Sequence, residues 1–214
     1  MKGLWIKDFA LLKLQKNFFI IIFGICIATI FFNQNADFIL GFLPFLMVIS
    51  ALSTMNYDED HNSISYLMTL PIQRKTYVYE KYAFVLTISG FTICIATLIN
   101  ILYAYTQHIT LPLEYFFLPL TILFSLVILV SISLPFQIKY GAQRGRIGMM
   151  VCFGLFFLFL VIISKILTSL EIDPSWILSQ INLPIFSFGI LFLLILIPWI
   201  SIRTSVHIIE NKEF

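Results

Sequence analysis

The stretch Asn56–Tyr82, NYDEDHNSISYLMTLPIQRKTYVYEKY, is the longest polar interruption in a chain of 214 residues that is 60% hydrophobic and only 11% charged. Three acids open it and three basic residues follow: Asp58, Glu59, Asp60, Arg74, Lys75 and Lys81. A soluble domain carries about 25% charged residues, so this chain has too little polar surface for a globule in water. The stretch therefore predicts a loop outside the bilayer, between two helices that cross it.

Runs without Asp, Glu, Lys or Arg lie on both sides of this loop, and each is long enough to cross a bilayer, which takes about 20 apolar residues in a helix. We predict an all-α membrane protein with one transmembrane domain over residues 1–214. Its six predicted spans cover about residues 17–36, 38–56, 82–105, 115–138, 147–165 and 183–202. The first run ends in Asn33-Gln34-Asn35 without a small-residue cleavage site, so we expect no cleaved signal peptide.

The basic residues are distributed unevenly among the loops. With the amino terminus in the cytoplasm, the inner loops are 1–16, 57–81, 139–146 and 203–214, and the outer loops are 33–37, 106–114 and 165–182. Twelve of the 13 Lys and Arg then lie inside, and only Lys165 lies outside. Short cytoplasmic loops carry such an excess of basic residues. We therefore predict cytoplasmic amino and carboxyl termini.

Two segments outside the spans combine apolar residues with charged or polar ones. In KGLWIKDFALLKLQK (residues 2–16), a helical period puts Trp5, Phe9 and Leu12 on one stripe and leaves Lys7 and other lysines for anionic headgroups. We predict an amphipathic helix along the inner leaflet; the alternative is an ordinary basic flank of the first span.

Residues 165–182, KILTSLEIDPSWILSQIN, are too apolar for a free loop and too broken for a span. Asp173 and Pro174 are typical of a helix start, with Pro at the first helical position, and Trp176 follows at the level of the outer leaflet. We predict a short re-entrant or interfacial helix between spans five and six.

Several kinds of chemistry are missing from the sequence. There is no GxxxxGK[ST] phosphate loop, and His61, His108 and His207 fall in different loops, so we expect no ATP site, no catalytic residue and no metal site in the chain itself. The predicted spans also lack the ionisable residues that ion-driven carriers keep at mid-membrane. Energy must therefore reach this protein through a contact with a partner.

The loop itself has a helical pattern. Its three acids favour a helix start, and Ile64, Leu67 and Met68 form an apolar stripe. Pro71 ends this short helix and opens the next one, which carries Arg74, Tyr77 and Tyr82 into span three. We predict a cytoplasmic helix whose movement is felt by both flanking spans.

With this pattern, the chain resembles the permease subunits of type-2 ABC exporters, in particular small permeases of Gram-positive bacteria that work with a separate ATPase. The resemblance rests on an acidic turn followed by L-P-I-x-R-K-x-Y-V-x-x-K-Y: Asp58, Glu59, Leu70, Pro71, Arg74, Lys75, Tyr77, Val78, Lys81 and Tyr82. The amino-terminal KGLWIKDF, with Lys7 and Asp8, is similar to the first helix of that family.

The resemblance implies two permease subunits, identical or related, above two ATPase subunits that bind ATP and Mg²⁺. It implies that loop 57–81 acts as a coupling helix, with Asp58–Met68 against the ATPase and Arg74–Tyr82 transmitting its motion. The segment between spans five and six matches the region that closes the exit in related exporters.

We therefore expect an exporter subunit in a bacterial plasma membrane that moves a hydrophobic or amphipathic substrate by alternating access. Cytotoxic or antimicrobial peptides are one candidate class. The 23 phenylalanines suit such a pathway, but lipid-facing surface explains them as well. The alternative function is a non-transporting scaffold, or a sensor or immunity subunit.

Overall fold

The computed structural model describes residues 2–33, 37–59, 73–107, 117–141, 144–145, 147, 158, 162, 165 and 183–211. Within these residues the chain forms six long helices and no strand. They are α1 (Lys2–Leu14), α2 (Lys16–Asn33), α3 (Asp37–Glu59), α4 (Arg74–Thr106), α5 (Phe117–Tyr140) and α6 (Leu183–Glu210).

Four of these helices, α3 to α6, are long and apolar enough to cross a membrane, and the count rises to five if α1 and α2 are taken as one bent span. The prediction of a helical membrane protein is confirmed. Most of the predicted fifth span (147–165) and all but one residue of the outer segment (165–182) lie outside the described residues. Six spans and a cytoplasmic location of both termini stay predictions.

Helix α4 begins at Arg74, eight residues before the predicted start of span three at residue 82. Its 33 residues extend for about 50 Å at about 1.5 Å per residue, whereas the hydrocarbon core is about 30 Å thick. The helix is therefore longer than the bilayer requires, and its first turns are available to organise the loop that precedes them.

The main core lies where α1, α3, α4, α5 and α6 meet. It contains Val48, Tyr77, Val85, Val130 and Leu134, each at most 1% exposed. Helix α3 packs chiefly on α4, and α5 chiefly on α6. A smaller core joins α2 to α3 and α4.

Helix α1 packs against the bundle, and the chain bends by 64° between α1 and α2. Its buried stripe is Leu4, Asp8 and Leu12, at a spacing of four residues. Trp5 and Phe9, on the stripe predicted to lie along the inner leaflet, place their rings 5.8 and 5.3 Å from that of Phe84 in α4. The inward face of α1 thus carries an aspartate at its centre.

A tight turn follows α5. Gly141 has a φ of 88°, in the left-handed region that favours glycine at helix ends, and its N–H donates to the Gln137 carbonyl at 2.9 Å. The chain then passes so close to α5 that a Cβ on Gly145 would lie 2.8 Å from the Gln137 Cα.

Candidate functional site

A charged cluster of Lys7, Asp8, Asp58, Tyr77 and Lys81 lies where α1, α3 and α4 meet. Lys81 Nζ is 2.6 Å from Asp8 Oδ2 and 2.8 Å from Asp58 Oδ2, and its side chain is fully buried. The same ammonium donates to Thr54 Oγ1 at 3.2 Å. Because a lysine has three N–H donors, each is matched by an acceptor from α1 or α3.

Asp58 receives two further donors. Lys7 Nζ lies 2.5 Å from Asp58 Oδ1, and the Tyr77 hydroxyl donates to Asp58 Oδ2 at 3.0 Å. Lys7 also lies 3.3 Å from Asp8 Oδ1. Its side chain is 28% exposed and covers the cluster from the solvent side, whereas Asp8 is wholly buried. The two aspartates are thus balanced by two lysines.

The interior position of these ion pairs makes the helix contacts hard to break. Removing one partner of a buried pair leaves an uncompensated charge and costs about 3–5 kcal/mol, although the intact pair contributes much less than that because desolvation offsets its attraction. The charged cluster therefore acts mainly to specify which residues of α1, α3 and α4 face each other.

The cluster closes the base of the loop that follows α3. Asp58 is in the last turn of α3, while Tyr77 and Lys81 are in the first two turns of α4. The bonds between them tie the two ends of segment 60–72 to each other and to α1. Asp58 is only 3% exposed, so its side chain is directed into the helix bundle.

A second contact ties the start of α4 to the end of α6. The Arg74 guanidinium donates to the carbonyls of Ile209 and Glu210 at 3.3 and 3.1 Å. The last carbonyls of a helix have no partner within it, and a basic side chain is a common way to satisfy them. Lys75 lies 3.1 Å from the Glu210 carboxylate, but both side chains are about half exposed, so this pair contributes little.

Tyr82 extends these contacts one turn further into the bundle. Its hydroxyl lies 2.5 Å from Ser201 Oγ and 2.8 Å from Ser205 Oγ, both on α6. Ser201 in turn donates to the Ser131 carbonyl of α5 at 2.5 Å. The first turns of α4 are therefore bonded directly to α1, α3 and α6, and through Ser201 to α5.

Comparison of the sequence with known protein families shows which kind of membrane protein carries this site. The family described as "ABC-2 family transporter protein" matches residues 3–210, which is nearly the whole chain. The chain belongs to the ABC-2 transporter family. It is thus a transmembrane permease subunit of an ABC transporter, a component that typically lacks an ATPase site of its own and associates with an ATPase subunit. No curated protein and no solved structure matches.

In this ABC-2 permease the described loop residues form two sets of contacts: Asp58, Tyr77 and Lys81 lie in the charged cluster, whereas Arg74, Lys75 and Tyr82 contact α6. All six lie at the base of the loop. Glu59 ends α3. The predicted docking stripe and break, Asp60, Ile64, Leu67, Met68 and Pro71, lie outside the described residues, as do Asp173, Pro174 and Trp176 of the outer segment.

Sequence reasoning missed the partners of the loop residues in this permease. Asp8 enters the prediction only through the family resemblance, and no pattern in the sequence points to Thr54, Ser201 or Ser205. Asp8 did carry a usable signal, because it lies between Leu4 and Leu12 at the spacing of one helical face. A carboxylate on an apolar stripe needs a cationic partner, and Lys81 is such a cation.

Proposed function

We propose that this permease exports a hydrophobic or amphipathic substrate by alternating access, driven by a separate ATPase that docks on segment 60–72. The observation that carries the proposal is that both ends of this segment are bonded to the rest of the protein through Asp58, Lys81 and Arg74. A loop with free ends would absorb a push from a partner, whereas a loop with fixed ends passes it on.

The route of transmission follows from the bonds. Force on the segment reaches α1 and α3 through Lys81, which contacts Asp8 and Asp58 together. It reaches α6 through Arg74 and through the Tyr82 hydroxyl. Because buried ion pairs are costly to separate, these helix ends move as one unit with α4.

The assembly we propose has two copies of the permease and two ATPase subunits that bind ATP and Mg²⁺, in a bacterial plasma membrane. The placement of 12 of 13 basic residues in inner loops supports a cytoplasmic loop 57–81. The cargo we propose is apolar or amphipathic, with cytotoxic or antimicrobial peptides as one class; the 23 phenylalanines fit such a pathway and a lipid-facing surface equally.

The test is purification of the tagged permease from its native membranes, followed by assay of ATP hydrolysis by whatever ABC ATPase accompanies it. Glu59→Lys reverses a charge at the predicted docking surface, and we expect it to reduce recovery of the ATPase at least tenfold. Glu114→Lys makes the same change in a predicted outer loop and serves as the matched control. Full recovery with Glu59→Lys, or no ATPase with the unaltered chain, would contradict the proposal.

A further inference from the structure

Glu80 lies next to the charged cluster but takes part in none of its bonds. It precedes Lys81 in α4 and is fully buried. Neither of its carboxylate oxygens has a hydrogen-bond partner. A buried carboxylate without a donor is unusual, because transfer of an isolated negative charge from water to a protein interior is very unfavourable.

The charge balance around Glu80 makes a second negative charge still less favourable. The charged groups that act on it are Asp8 and Lys7 of α1, Asp58 of α3 and Lys81 of its own helix, and the effect of Asp8 is the largest. The two lysines already neutralise the two aspartates. Asp8 Oδ1 is ion-paired with Lys7 at 3.3 Å but accepts no hydrogen bond, and neither oxygen of Glu80 has a hydrogen-bond donor.

We propose that Glu80 is a proton-binding site: it is a neutral carboxylic acid while α1 packs on α4, and loss of its proton loosens α1 from the charged cluster. A proton removes the surplus negative charge and turns one Glu80 oxygen from an acceptor into an O–H donor. A metal ion does not fit, since no group of three His, Cys, Asp or Glu in the described residues is arranged to hold one.

The direction of the pH effect follows from linkage. An unfolded glutamate releases its proton near pH 4.3, whereas burial, followed by the charge of Asp8, raises the pKa of folded Glu80 to about 7. The folded state then binds more protons than the unfolded state, so the stability of the fold decreases as pH rises above about 4.3 and levels off once folded Glu80 is also ionised. The contact between α1 and α4 is therefore strongest at acidic pH.

Infrared spectroscopy of the purified full-length chain tests the proposal without any ATPase, so its outcome is separate from that of the proposed function. At about pH 6, we expect the carbonyl band of a protonated carboxylic acid. It should shift when glutamate carboxyls carry ¹³C, should not shift when aspartates do, and should be missing from Glu80→Gln. No such band, or a band that follows the aspartate label, overturns the proposal.

Unfolding in mixed detergent micelles gives a second readout. Between about pH 5 and the pH at which Glu80 ionises, the folding equilibrium constant of the unaltered chain should fall by up to about tenfold per pH unit. Glu80→Gln should remove this dependence, and Glu210→Gln, at an exposed pair, should retain it. If Glu80→Gln keeps the same pH dependence of folding, the proposal is overturned. If that variant does not fold, the glutamate-label shift of the infrared band in the unaltered chain tests the proposal instead.

Discussion

Lys81 has buried partners on two other helices, Asp8 on α1 and Asp58 on α3, and thereby holds three helices together. The loop motif contains Lys81, Asp58 and Tyr77, and the resemblance implies that Asp58 contacts the ATPase while Tyr77 and Lys81 transmit its motion. In the structure these side chains are buried in the bundle. Lys81 lies on the same face of α4 as Tyr77 and Phe84, and it pairs with Asp8 on the facing helix α1. Pairing of residues 73 positions apart cannot be read from local spacing.

At this scale we predict that Lys81→Met destabilises the purified permease by about 3–5 kcal/mol, since it leaves Asp8 and Asp58 buried with one lysine between them. Lys75→Met, at an exposed pair, should change stability by less than about 1 kcal/mol. Reversible unfolding in mixed micelles measures both. Equal losses in the two variants would show that the cluster does not hold the helices together.

Tyr82→Phe should destabilise by about 1–2 kcal/mol, because it removes the hydroxyl that lies within hydrogen-bonding distance of Ser201 and Ser205 in the bundle interior. Tyr79→Phe removes the same atom from a side chain that is 46% exposed, and we expect no measurable change. The same unfolding assay applies. A Tyr82→Phe protein as stable as Tyr79→Phe would rule out a structural role for this contact.

Among the helices, the sequence pattern predicted their existence better than their buried faces. Charge-free runs place the start of span three at residue 82, and the loop pattern predicts that the helix opened at Pro71 carries Arg74, Tyr77 and Tyr82 into that span. Glu80 and Lys81 are buried by tertiary contacts, and α4 continues through them to Arg74. The helix before span one was predicted, yet its buried stripe proved to be Leu4, Asp8 and Leu12.

The turn after α5 provides an element-level prediction. Gly145→Ala places a methyl group 2.8 Å from the Gln137 backbone, so we expect a loss of about 1–3 kcal/mol and a shift of the turn away from α5. Gly90→Ala lies within α4 with nothing inside 4 Å of the new atom, and it should be neutral or stabilising by up to about 1 kcal/mol. Thermal unfolding of the pair distinguishes these effects; a tolerated Gly145→Ala would contradict the close approach.

For the whole molecule, composition and the loop motif were enough to predict a helical membrane protein of the ABC-2 family, and both are confirmed. The packing order of the helices was not predictable. In a water-soluble bundle, the polar face of each helix marks the outside. Here exposed residues such as Phe91, Leu98 and Ile195 are as apolar as the buried ones, so the pattern does not show which face meets a neighbour.

The proposed mechanism requires that an ATPase engages the loop whose two ends are fixed by Lys81 and Arg74. Photo-crosslinking in native membranes from a photoreactive amino acid at position 64 measures this contact, with position 112 in a predicted outer loop as the control. We expect position 64 to crosslink to an ABC ATPase and position 112 to give no crosslink. No crosslink from position 64, while an ATPase still co-purifies with the chain, would place the contact elsewhere and exclude docking on segment 60–72.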